Sequence, residues 1–393
     1  MRQHVSFFGM FGLHSSFTSH THRMATDPIL AEKPSAPFES FRLTLSSSRG
    51  KTFVVTGTTT GTGYVLAREV VRGGGRVVVL NRPSPRAERA LARLQTLCSD
   101  GGSVVHVDCD VSSFASVKAA IQPTKDACGG SLDVLVCNAG VGAFPDMRAD
   151  EGHEYQMMCN HLSQWLLVRA LMPLLEAAAT SKGEARVVLH SSGAAFAIPE
   201  NKATGKMKAL DAAYFGKEPL TGDGVGDGLK ARMRRYQQSK LAQLVAGTAL
   251  AESLASAGSA IKVLMANPGA AATGFHKRVA GSIGGCVSAA FPLIFGIAKL
   301  FVNTAEEGAM PLLLCACGKD VTTGEFYSPQ RRVPKGGVRP GKKSKPVMRS
   351  RPVAQTKEVL LAERGPDAWE VMHGEATKKM AIELSDKAVA PYL

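Results

Sequence analysis

From Lys51 to Pro268, short unbroken apolar runs alternate with longer stretches of helical period. The runs are Phe53-Val-Val-Thr56, Arg76-Val-Val-Val-Leu80, Val104-Val-His-Val107, Val134-Leu-Val-Cys137, Arg186-Val-Val-Leu189 and Ile261-Lys-Val-Leu-Met265. They are rich in valine and lack apolar/polar alternation, so each reads as a strand covered on both faces. Helical stretches lie between them at Gly61 to Arg72, Arg86 to Cys98, near Ser113 to Ile121, Tyr155 to Ala179 and Arg232 to Ala255. Beyond Asn303, Thr304-Ala-Glu-Glu-Gly308 starts another helix with acids in its first turn. Gly324-Glu-Phe-Tyr327 then reads as a last strand. Strands alternating with helices imply a parallel sheet joined by right-handed crossovers, an α/β, doubly wound Rossmann fold of about seven strands.

The flanks differ in composition. The chain has 393 residues and a formal net charge of +14, which on its face suggests a nucleic-acid partner. Nine Lys/Arg and no acid lie between Arg331 and Arg351, so most of the excess sits in one Pro/Gly-rich segment and no nucleic acid is expected. That segment is read either as a solvated tail or as one that adheres to an anionic membrane or polyanion. The expected organisation is a disordered or targeting extension over 1–48, a main dinucleotide-binding domain over 49–330, a basic linker over 331–355 and a helical segment over 356–393. Met1 to Thr26 carries no acid and is rich in Ser, His and Phe. It fits an import peptide to a plastid or mitochondrion, or an untargeted extension of a cytoplasmic protein. None of the eight cysteines forms a Cys-x-x-Cys spacing, which favours reduced buried thiols over a disulfide framework or a metal site. No stretch demands a transmembrane helix. Val279 to Ala298 is free of charge but carries four glycines and Pro292.

The candidate chemistry gathers at strand ends. The first strand runs into Thr56-Gly-Thr-Thr-Thr-Gly-Thr-Gly63. Glycines at 57, 61 and 63 permit a tight turn, and with Thr58, Thr59, Thr60 and Thr62 they place a helix N-terminus against a pyrophosphate. The second strand ends in Asn81-Arg82 where an acid would bind a ribose 2′-hydroxyl. Arg82 can instead pair a 2′-phosphate, so NADP(H) is preferred and NAD(H) is the alternative; the other reading is that Arg82 points to solvent. Further on come Asp110-Val111, Asn138-Ala139-Gly140, Asn160-His161, Ser191-Ser192, Pro268-Gly269 and Thr273. Tyr236 and Lys240 stand one turn apart on a helix, a phenol beside an ammonium. Such a cation favours the phenolate of a group that ordinarily titrates near ~10.

In order and spacing, Thr-Gly-x-x-x-Gly-x-Gly, Asn-Ala-Gly, Ser, Tyr-x-x-x-Lys and Pro-Gly resemble the short-chain dehydrogenase/reductase family over about Lys51 to Ser328. The long segment between Ser192 and Tyr236, with Asn160-His-Leu and Asn267-Pro-Gly, is most similar to its retinol dehydrogenase and protochlorophyllide reductase branch. The chlorophyll enzymes have a cysteine where this chain has Ala242. The resemblance implies hydride transfer between nicotinamide and a carbonyl or alcohol. Tyr236 would be the general acid/base, Lys240 would tune it and bind ribose, and Ser192 would donate to the substrate oxygen, with Ser191 as the neighbouring alternative. Asn160 would hold a water that links Lys240 to solvent. Asp110 would contact adenine or else cap a helix. Arg232, Arg234 and Arg235 read as a solvated shoulder. Phe275 to Lys299 reads as a lid over the cleft, either packing on the core or meeting a lipophilic substrate or membrane surface. Phe196 and Ile198 are candidates for the pocket wall. The competing classes are a catalytically silent dinucleotide sensor and a polyanion-binding protein built on the tail. The chain is expected as a monomer or homodimer.

Overall fold

The structure is a computed structural model that describes residues 34–197, 209–269, 303–329, 352–355, 358–359 and 366–393. Its centre is a sheet in the order β3-β2-β1-β4-β5-β6-β7-β8. The strands are β1 (Thr52–Thr56), β2 (Arg76–Asn81), β3 (Ser103–Asp108), β4 (Val134–Cys137), β5 (Ala185–His190), β6 (Ile261–Ala266), β7 (Phe326–Pro329) and β8 (Pro352–Ala354). All neighbours are parallel except β7 and β8. The central strands β4 and β5 are buried at every position, as their unbroken apolar runs require. Strand order reverses between β1 and β4, and the crevice at their carboxyl ends is where such sheets bind ligands.

Helices cover both faces: α1 (Ala36–Arg42), α2 (Gly61–Arg72), α3 (Pro85–Gln95), α4 (Phe114–Cys128), the short α5 (Tyr155–Met157), α6 (Ser163–Lys182), α7 (Leu229–Ser256), α8 (Ala305–Cys317), α9 (Pro366–His373) and α10 (Glu375–Val389). Local chemistry sets their starts. Ser84 accepts from Ala87 N with Pro85 at the first position of α3, and Thr304 and Glu307 form a reciprocal capping box on α8.

Two expectations about the flanks change. The extension over 1–48 was to lie outside the folded body, yet α1 starts at Ala36 behind a Ser35 cap and buries Phe38 and Phe41. The domain division put 331–355 in a linker, yet Pro352–Ala354, within it, pairs with β7. This eighth strand is an edge, where a proline's missing N–H is tolerated. Within the C-terminal segment the described residues form α9 and α10, and α10 is fastened to α6 and α7. Asp386 accepts from Trp165 Nε1 at 2.8 Å and pairs with Arg169, while Lys378 pairs with Glu252 and Glu375. The insert after Ser192 is not wholly exposed: Leu210, Tyr214, Phe215, Leu220 and Gly224 are buried. The seven described cysteines are free, and no described helix is long and apolar enough to cross a membrane. Thr273, Ile198, the lid read over Phe275 to Lys299 and the basic run Arg331 to Arg351 lie outside the described residues.

Candidate active site

β1 delivers the glycine-rich turn to the crevice. Gly57 and Gly61 have φ of +73° and +66°, which side chains rarely adopt. At Gly63 the demand is space: a Cβ would lie 2.3 Å from Asn138 Nδ2 and 2.4 Å from the Gly57 carbonyl. Thr60 heads α2 without a side-chain cap bond. The turn is braced from two sides. The Asn81 amide accepts from Thr58 N at 2.8 Å and donates to Thr58 Oγ1 at 2.9 Å. The Asn138 amide donates to the carbonyls of Thr56 and Gly57, each at 2.9 Å, and accepts from Thr62 Oγ1 at 3.1 Å. Thr56 Oγ1 in turn accepts from the backbone N–H groups of Asn138 and Ala139. Asn81 therefore shapes the turn from behind. Arg82, 64% exposed, points its guanidinium to within 3.7 Å of Asp110.

Asp110 is not the cap of α4; Ser113 is, accepting from Ser116 N. Oδ1 of Asp110 instead takes the N–H and O–H of Ser112, which fixes the turn ahead of the helix. Val111 is half-buried beside it. Arg82 and Asp110 thus stand together at the ends of β2 and β3, next to the glycine-rich turn.

On the other side of the switch point, α7 carries the phenol and the ammonium. Tyr236 is half-buried; Lys240 is 5% exposed. The Lys240 ammonium donates to the His190 carbonyl at 2.7 Å and to Gln243 Oε1 at 3.3 Å, and no carboxylate among the described residues pairs with it. Burial alone pushes its pKa down to about 7. Gly140 leaves room here, since a Cβ would stand 2.8 Å from Asn160 Oδ1 and 3.4 Å from Lys240 Nζ.

The two serines divide. Ser191 is buried and donates to the Lys240 carbonyl at 2.9 Å, which fastens β5 to α7. Ser192 is half-buried, and its Oγ accepts from Ala194 N at 3.2 Å, which leaves its O–H to donate. Asn160 lies in a π-helical turn, Met158–Leu162, between α5 and α6. Its amide accepts from Val141 N at 2.7 Å and donates to Val141 O and Ser239 Oγ. The side chain expected to hold a water thus ties the π turn to the loop after β4 and to α7, with both amide N–H groups and one of the two Oδ1 lone pairs engaged. Such a turn inside a helix frequently marks a functional site. Gly269, at φ +67°, donates its N–H to Asn267 Oδ1, and Pro268 accepts from Asn303.

Phe196, read as a candidate for the pocket wall, is 7% exposed and packs on Phe326, ring centroids 5.9 Å apart. One reading of the sequence fails here: Arg234 and Arg235 are not a solvated shoulder. Arg235 is fully buried and donates to the carbonyls of Gly224, Gly226 and Phe144, with Asp146 and Glu154 beside it. Arg234 is 4% exposed, beside Asp223. Arg232 alone is partly exposed. Residues not singled out by their chemistry also build the site. Gln164 accepts from Thr56 Oγ1 and donates to Ala139 O, and His190 bonds Asn138. Their only signal is a polar side chain in an otherwise apolar run.

The family model for short chain dehydrogenase matches residues 51–203. The chain is 30% identical over 289 residues to retinol dehydrogenase 14 of Mus musculus, covering 71% of this chain and 77% of that one. It is 33% identical over 225 residues to the short chain dehydrogenase/reductase dpchH of Colletotrichum higginsianum, a match spanning 56% of this chain and 54% of the fungal one. Among solved structures, an uncharacterised protein of Mycobacterium paratuberculosis has a TM-score of 0.57 at 24% identity, over 89% of this chain and 97% of that one, and shows the same fold. The glycine turn, the strand order and these relatives agree that the chain belongs to the short-chain dehydrogenase/reductase family of oxidoreductases, in its retinol dehydrogenase-like branch.

Proposed function

We propose that the chain is an NADP(H)-dependent oxidoreductase acting on a carbonyl or alcohol of a small lipophilic substrate, with Tyr236 as general acid/base. The observation that carries this reading is the Lys240 ammonium, buried without a carboxylate and one helical turn from Tyr236. An unpaired buried cation is costly to keep, and holding it beside a phenol lowers the cost of forming phenolate. Tyr236 gives its proton to the substrate oxygen in reduction and takes it back in oxidation. Ser192, whose O–H is left to donate, hydrogen-bonds the same oxygen as charge develops on it.

The glycine-rich turn suits a dinucleotide: Gly57 and Gly61 take the positive φ of a tight turn, and α2 starts there without a side-chain cap, so its first N–H groups are left for a phosphate. When bound, the nicotinamide supplies or accepts the hydride. Gly57 to Gly63 would hold its pyrophosphate, Lys240 its ribose, and Asp110, Val111 and the Asn138-Ala139-Gly140 corner the rest. Arg82 supports the 2′-phosphate reading, because it is the exposed cation at the end of β2, where the strand itself ends in Asn81 and not in an acid, and Asp110 beside it comes from the end of β3. The relative named for retinol supports a lipophilic substrate.

Replacing Tyr236→Phe tests the reading. Turnover should fall by ~10²–10⁴, the usual weight of general acid/base catalysis, while NADPH affinity stays within about threefold. Unchanged turnover across a screen of aldehydes, ketones and alcohols would reject Tyr236 as the proton donor.

A further inference from the structure

His190 is the last residue of β5, next to the serine pair, and it is bonded to the site at both its backbone and its side chain. Its carbonyl accepts the Lys240 ammonium at 2.7 Å. Its Nδ1 lies 2.8 Å from Asn138 Oδ1. The direction of that bond follows from its neighbours. Asn138 Nδ2 already donates to the Thr56 and Gly57 carbonyls, so Oδ1 is an acceptor and Nδ1 must carry the proton. The ring is 8% exposed, and burial drives its pKa down to about 3, so it is neutral with a bare lone pair on Nε2. Nε2 has no partner among the described residues.

The bonds form one path: Lys240 Nζ to His190 O, His190 Nδ1 to Asn138 Oδ1, and Asn138 Nδ2 to Thr56 and Gly57. We infer that His190 is a positioning residue that ties the Lys240 ammonium to the phosphate-binding turn, through its carbonyl on one side and its Nδ1–H on the other. The fit at the turn makes this strict. Asn138 Nδ2 would be only 2.3 Å from a Cβ on Gly63, so a small rotation of the amide presses on the start of α2. Without the imidazole donor, Oδ1 keeps Thr62 as its donor and the amide loses one of the bonds that orient it. The consequence falls first on nucleotide affinity.

The inference rests on the proposed cofactor reading, and the test separates the two. NADPH binding is measured by fluorescence titration on the full chain and three variants. Asn places its amide nitrogen close to the Nδ1 position; Gln reaches instead towards Nε2; Leu has no donor. His190→Leu and His190→Gln should weaken NADPH binding about tenfold or more, which is about 1.4 kcal/mol, while His190→Asn stays within about threefold of the parent. In steady-state kinetics the loss should appear in the cofactor KM more than in kcat, which a general loosening of the core would not produce. The inference is overturned if Gln and Asn bind alike, and that comparison decides even if the Leu variant does not fold. A parent protein that binds no nicotinamide nucleotide would sink the function reading and this inference with it. A parent that binds, with all variants equal to it, overturns the inference alone.

Discussion

Arg235→Met should destabilise the fold by an amount that depends on pH in a set way. The guanidinium is fully buried and donates at 2.5 Å to Gly224 O, 2.9 Å to Gly226 O and 3.2 Å to Phe144 O. Methionine keeps the volume and loses all three bonds. Because part of this loop region is reached by water, about 3 kcal/mol is a fair total for these losses. The second effect runs through Glu154, which is fully buried, lies 3.6 Å from Arg235 and has its pKa raised by burial to about 7. A carboxyl whose folded pKa lies above its unfolded value holds its proton only in the folded state between those values. The parent therefore loses ~1.4 kcal/mol per pH unit from this group as pH rises from 4.5 to about 7, and nothing more above it. Removing the cation raises the folded pKa further, so the variant goes on losing ~1.4 kcal/mol per unit above pH 7. The gap between parent and variant should be about 3 kcal/mol at pH 6 and grow to about 4–5 at pH 8. Urea unfolding at both pH values reads it directly. A gap below about 1 kcal/mol would refute the buried-network account, and a gap of constant size from pH 6 to 9 would refute the role of Glu154.

Two further predictions concern the cofactor cradle. Gly63→Ala puts a Cβ against Asn138 and the Gly57 carbonyl, an overpacking of about 1–3 kcal/mol; NADPH affinity should drop by ~10–100-fold, and parental affinity in a titration would contradict the close fit. Arg82→Asp removes the exposed cation at the end of β2; the ratio of kcat/KM for NADPH over NADH should fall by ~10–100-fold, the scale of a lost charge-assisted pair, and an unmoved ratio would reject phosphate pairing.

What could be read in the sequence is what leaves a mark on residue type. Strands buried on both faces must be apolar throughout, so β1, β2 and β4 to β6 stand out as runs such as Val134-Leu-Val-Cys137. Backbone turns with positive φ or no room for a Cβ must be glycine, so Gly57, Gly61 and Gly63 are visible. β8 is not, because three residues in a proline-rich, basic stretch become a strand only through pairing with β7. Nor is α1, where two phenylalanines and a serine cap act within about two turns.

The arginines beside Tyr236 show the same limit on the chemistry. Charge in a sequence says nothing about burial; the partners that decide it, Asp146 and Glu154, are some eighty residues earlier in the chain. Once folded, Arg235 holds the loop after β4 and the insert at Gly224 to Gly226 against the very turn of α7 that carries Tyr236. Two buried cations therefore flank the phenol in sequence, Arg235 with carboxylates and Lys240 without. The paired one can only fasten the scaffold, since its charge is offset where it stands. The unpaired one, lowered to about 7, is the cation that the proposed function assigns to act on a neighbour, and under that proposal the difference in pairing separates a structural charge from a functional one on the same helix.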